Sequence, residues 1–144
     1  MEFERGKSYE ELKIGEKASF AKTITETDVY LFAGISGDFN PMHVNEEYAR
    51  TSRFGARVAH GPLTLSLAAP LLGMRLPGLG AIAVELTTRF KAPVYFGDTV
   101  TVTGEVVEKI EKKSWVRIAL TWTNQKSEIL AEGSVVVSPP SQPV

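Results

Sequence analysis

Cysteine is absent from the 144 residues. Its absence excludes disulfides, thiol nucleophiles and thiolate metal sites, and leaves the compartment open. An excess of one charge is absent too. Sixteen lysines and arginines stand against 17 acidic residues, for a formal net charge of −1, and the basic side chains are scattered. A nucleic-acid-binding face, which needs clustered basic residues, is therefore not expected. Nor is a membrane span, because no apolar run reaches roughly 20 residues. The opening stretch MEFERGKSYEEL contains no apolar core of a signal peptide, so the cytoplasm is the expected location. Histidine is also scarce, with two in the chain.

The length suits one domain, which we place at residues 1–138, and the Pro-rich end PPSQPV, residues 139–144, reads as a disordered tail. The chain is organised around residues 57–74, RVAHGPLTLSLAAPLLGM. Leucines and alanines fall all round a helical wheel there, which predicts a helix buried on every side. Gly61 and Pro62 mark its start, because proline suits the first helical turn. Gly73, Pro77 and Gly78 mark its end, and Pro70 predicts a kink within it.

On the amino-terminal side, 17–24 reads as a short strand. Thr25 is a candidate N-cap, with Asp28 as its partner three residues on. Val29, Leu31, Phe32 and Ile35 are expected to form the apolar face of that helix, which should break at Gly37. Residues 46–51 could make one or two helical turns. After Gly80 the apolar period becomes two. Ile82, Val84, Leu86, Thr88 and Phe90 alternate with more polar neighbours, which predicts a half-buried strand. Alternation returns over 99–107, over 116–122 and from 129 to 138, so the second half reads as an antiparallel meander. One very apolar helix and a long meander together predict an α+β fold, a curved sheet around a long central helix.

The candidate chemistry lies just before that helix. Asp38 and His43 flank the Asn40-Pro41 turn in the loop GDFNPMH. A carboxylate and an imidazole brought to one point could hold and deprotonate a single water. The alternative is that Asp38 only makes an Asx turn and His43 only packs. Gly61 sits where the orphan N–H groups of a helix start point outward, so an oxyanion forming there would find a donor. His60 reads as structural. A metal site from Asp38, His43 and His60 is conceivable, although the two histidines lack the helical i, i+4 spacing.

These residues carry a resemblance. FAGISGDFNPMHVNEEYA resembles the hydratase motif of the MaoC-like, (R)-specific enoyl-CoA hydratases. VAHGPLTLSL resembles the His-Gly that opens their central helix, and PGLGAIAVELTTRFKAPVYFGDTV resembles their following strand. The likeness runs from Ile14 to Val137. It implies a hot-dog fold, a homodimer with joined sheets, and an acyl-CoA thioester bound near the subunit interface. Position by position, it implies that Asp38 and His43 are the catalytic pair, that the Gly61 N–H is the oxyanion donor and that Asn40 supports the loop. Pro62 departs from the methionine common in relatives, which puts the nearby pocket's shape in question. No metal or other cofactor is expected. Arg89 and Lys91 are candidates for the phosphates of coenzyme A, against the plainer reading of a solvated strand face. The expected reaction is reversible syn addition of water to a trans-2-enoyl-CoA, giving the (R)-3-hydroxyacyl-CoA. A hot-dog thioesterase, a 3-hydroxyacyl-carrier-protein dehydratase and a non-catalytic partner subunit are the alternatives.

Overall fold

The structure, a computed structural model, describes residues 3–141. Its strands are β1 (Lys17–Thr23), β2 (Ile82–Phe90), β3 (Thr99–Ile110), β4 (Trp115–Thr123) and β5 (Ile129–Ser138). The helices are α1 (Glu26–Ser36), α2 (Pro41–Val44), α3 (Glu46–Thr51), α4 (Gly61–Ser66) and α5 (Ala68–Met74). All strands join one antiparallel sheet in the order β1-β3-β4-β5-β2. The meander is thus β3–β4–β5, and β2 crosses to the far edge to pair with β5.

The central helix differs from the single long one expected. It is two short helices that meet at Leu67. Pro70 explains the break: it has no N–H to give the Ser66 carbonyl, and its ring crowds that carbonyl. The chain therefore turns before the proline and restarts, with Pro70 in the first turn of α5, where an N–H has no partner anyway. Leu67, Ala68, Leu71 and Leu72 enter the core with Val102, Val106, Ile118, Leu120 and Trp122. The burial is one-sided, because Ala69 and Met74 are exposed. α5 packs across β1 and β3. Gly104 on β3 permits that approach, since a Cβ there would meet Leu71 Cδ2 at 2.9 Å and Ile118 Cγ2 at 3.0 Å. Burying a leucine such as Leu71 is worth about 1.5–3 kcal/mol. The whole is the hot-dog arrangement, with a helical layer against an antiparallel sheet.

Two expectations about faces need correction. On α1 the buried residues are Val29 and Ala33, while Leu31 is 60 % and Ile35 84 % exposed. Leu31 and Ile35 are four apart and share the helix's outer face, so the apolar residues form two stripes rather than one. On β2, Ile82, Val84, Leu86 and Phe90 are all exposed, in place of the expected half-buried strand. α5 lies over β1 and β3, toward the opposite edge of the sheet, and among the described residues the side chains of β2 are left largely uncovered. The remaining boundaries agree closely with the sequence reading. Thr25 and Asp28 make the predicted capping box, and Gly37 ends α1 with a φ of 81°. Of the tail, 139–141 form no helix or strand, and 142–144 lie outside the described residues.

Candidate active site

The loop between α1 and α3 is shaped by three short polar side chains. Asp38 Oδ1 accepts from the Asn40 N–H at 3.1 Å, an Asx turn. Asn40 Oδ1 accepts from the Met42 N–H at 3.2 Å and so caps α2, with Pro41 in the first turn. Asn45 caps α3 in the same way. His43 rides on α2 and is buried, and its Nδ1 lies 2.7 Å from the Val58 carbonyl oxygen. A carbonyl can only accept, so Nδ1 carries the proton and the neutral ring presents a lone pair at Nε2.

That lone pair faces Asp38. His43 Nε2 is 3.9 Å from Asp38 Oδ2, and the Asp38 side chain is 51 % exposed. The gap is too long for a direct hydrogen bond, yet one oxygen can lie about 2.8 Å from both atoms. Both groups accept, and water has two protons to give them. The Asx turn and the pairing with His43 coexist because Asp38 uses a different oxygen for each.

Burial holds the His43 imidazole below its ordinary value of 6.5, and the nearby His60 ring adds to this. The Val58 carbonyl and the Asp38 carboxylate pull the other way and do not offset it. His43 therefore remains a proton acceptor further into the acid range than a free histidine. The kcat/KM for any reaction that needs the unprotonated ring should fall with decreasing pH, with an apparent pKa below 6.5. Asp38→Asn should move that limb further toward acid, because the carboxylate favours the protonated ring. A pH–rate profile of wild type and variant checks both statements, and an acid limb above 6.5 contradicts them.

His60 and Gly61 adjoin this pair. His60 is stacked on His43, with centroids 3.9 Å apart and planes at 27°. Its Nε2 lies 2.9 Å from the Asp38 carbonyl oxygen. Gly61 is the first residue of α4, and no backbone carbonyl among the described residues accepts its N–H. A cavity of 280 Å³ opens beside it, lined by Met42, His43, Phe54, Gly61, Thr64 and Phe90 among others. Asp38 stands outside that wall. The Phe90 ring lies over Gly61 so closely that an added Cβ would meet its Cζ at 3.1 Å. Pro62 is exposed and not part of the wall, so the change at this position leaves the cavity lining untouched.

Asp38, His43 and His60 each offer a ligand atom within 4.8 Å of the others. The fit to a metal is poor. An imidazole binds metal in its ring plane, and two rings stacked 3.9 Å apart with planes at 27° keep those planes apart, so one ion about 2.0–2.1 Å from a nitrogen of each is poorly served. Lys91 lines the cavity but is paired with Glu132 at 2.9 Å, and Arg89 does not reach the wall. Sequence reasoning misses Arg57 and Phe90. The Arg57 guanidinium donates to Glu26 at 2.6 Å and to the Tyr30 hydroxyl at 2.5 Å, both on α1, and holds the Glu26 carboxyl below its usual range. It thereby ties α1 to the segment whose next residue, Val58, carries the carbonyl that orients His43. Long-range pairs of this kind have no local signal. Phe90 reads from sequence only as a strand position, and its reach to Gly61 depends on where β2 ends.

Comparison with known proteins places the chain as a whole. A family model for the MaoC like domain matches residues 10–127. The (R)-specific enoyl-CoA hydratase of Rhodospirillum rubrum is 47 % identical over 134 residues, covering 93 % of this chain and 92 % of that one. The 3-hydroxybutyryl-CoA dehydratase of Methylorubrum extorquens is 40 % identical over 134 residues, covering 93 % and 85 %. Among solved structures, the unliganded R-hydratase PhaJ1 from Pseudomonas aeruginosa matches with a TM-score of 0.90 at 38 % identity, over 96 % of this chain and 88 % of that one.

Proposed function

The chain belongs to the MaoC-like domain family, and on that footing we propose that it is an (R)-specific enoyl-CoA hydratase, a hydro-lyase that adds water reversibly to trans-2-enoyl-CoA thioesters. The observation that carries this reading is the 3.9 Å gap between the His43 Nε2 lone pair and the Asp38 carboxylate, sized for one water, beside a cavity that holds Gly61.

Hydration then proceeds as follows. Water donates one hydrogen bond to Asp38 and one to His43, and its oxygen attacks the β carbon of the enoyl group. One O–H bond breaks, a C–O bond forms, and the alkene electrons move toward the α carbon and the thioester oxygen. The Gly61 N–H meets the negative charge developing on that oxygen, which is stronger in the transition state than in the substrate. The proton held by the Asp38–His43 pair passes to the α carbon from the same face. Dehydration runs these steps backward. Asn40 supports the pair by capping α2, and no step calls for a metal or redox group.

Purified protein incubated with crotonyl-CoA should yield (R)-3-hydroxybutyryl-CoA. Release of free thiol without hydration would favour thioester hydrolysis and contradict the assignment.

We place the enzyme in the cytoplasm as a homodimer. No helix among the described residues is long and apolar enough to cross a membrane. The edge strand β2 exposes Ile82, Val84, Leu86 and Phe90, and α1 exposes Leu31 and Ile35. An open apolar edge of this kind favours pairing with a second copy. The half-exposed Asp38 also needs a cover if water is to be excluded from the reaction. Sedimentation should give a dimer or larger even-numbered oligomer, and Leu86→Lys should shift it toward monomer with loss of activity. A monomeric wild type with full activity would contradict the assembly.

A further inference from the structure

His60 is the most deeply buried polar ring in the site, 1 % exposed, and its Nδ1 is buried with no hydrogen-bond partner. The Asp38 carbonyl that Nε2 meets at 2.9 Å accepts only, so Nε2 carries the proton and Nδ1 is an unmet acceptor. A residue present for packing alone would gain from being apolar here, since an unpaired buried acceptor is costly. Phe32 tilts against the ring at 4.9 Å, His43 stacks on it at 3.9 Å, and its chain neighbour is Gly61. The geometry points to His60 as a positioning residue: its N–H fixes the Asp38 main chain, its face fixes the His43 ring, and its backbone leads into the Gly61 N–H. The three groups, two from the loop after α1 and one from the start of α4, are thereby referenced to one side chain. This inference rests on the hydratase reading and assigns His60 no proton transfer.

Three measurements on the intact protein test it. His60→Phe keeps a stacking ring and loses the donor, whereas His60→Gln keeps a donor and loses the ring. With crotonyl-CoA, His60→Phe should lower kcat by about 10- to 100-fold with little change in KM, because misplacement of groups costs rate more than binding. His60→Gln should recover part of that loss, and the melting temperature of His60→Phe should stay near that of wild type. A folded His60→Phe with wild-type kcat overturns the proposal. So does a His60→Gln that is no better than His60→Phe while the kcat losses follow the melting temperatures. The third measurement needs no variant. Nitrogen-15 NMR of wild type should show His60 as the Nε2–H tautomer, and an Nδ1–H tautomer overturns the proposal. Failure of wild type to hydrate crotonyl-CoA would instead strike the hydratase reading, and the tautomer seen by NMR would then decide the place of His60 on its own.

Discussion

Asp38→Asn is expected to lower kcat/KM for enoyl-CoA hydration by about 10²–10⁴-fold, the range that positioned acid–base groups contribute. Folding should be unaffected. The asparagine oxygen can still accept from the Asn40 N–H, so the Asx turn that shapes the loop survives. What is lost is the second carboxylate oxygen, 3.9 Å from His43 Nε2. An amide nitrogen in its place would donate toward the His43 lone pair and compete with the water for it. His43→Ala should cost a similar factor, because it removes the other acceptor. Since both side chains act on one water, the double variant should be little worse than either single one. The three variants assayed beside wild type, with melting curves as the control for folding, provide the check. Near-wild-type hydration by Asp38→Asn would remove that residue from the mechanism.

Gly61→Pro is expected to lower kcat by about 10²–10³-fold, the usual effect of losing one oxyanion donor. The backbone before position 61 accepts the substitution, although Pro62 disfavours the helical conformation of a proline at 61, so a melting curve accompanies the assay. His60 has φ −61° and ψ 137°, the extended conformation that a residue before proline prefers, and proline is at home in the first turn of a helix. The N–H it removes is bonded to no backbone carbonyl among the described residues, so the fold loses no internal backbone hydrogen bond. Gly61→Ala is the control. It keeps the N–H and sets a Cβ against the Phe90 ring at 3.1 Å, a contact that the half-exposed ring can relieve by shifting. Alanine should therefore retain far more activity than proline. Equal losses in the two variants would mean that space around Gly61, rather than its N–H, is what the reaction needs.

Much of this is legible in the chain because the signals are local. The Thr25–Asp28 box, Gly37 after α1 and the period-two runs of β3 and β4 are each decided within a few residues of themselves. The GDFNPMH loop is local too, and its Asx turn and caps follow from short polar side chains at fixed offsets. What cannot be read are facts set by distant partners. The alternation in β2 correctly says strand, but which side is covered depends on where the helices lie, and α5 lies over β1 and β3. Leu31 and Ile35 look like core residues by composition, yet both are exposed. The break at Leu67 is partly visible, because Pro70 announces a disruption. A proline alone does not say whether the helix bends and continues or stops and restarts. His60 is the largest gap. A buried histidine before Gly-Pro reads as packing until its bond to a carbonyl 22 residues earlier is seen.

The central claim is that one water, held between Asp38 and His43, supplies both the hydroxyl and the proton from one face of the substrate. Hydration of crotonyl-CoA in heavy water, followed by stereochemical analysis at both carbons, tests it most directly. The account predicts (R)-3-hydroxybutyryl-CoA with deuterium on the α carbon, added syn to the hydroxyl. Anti addition, or the (S) product, would contradict it.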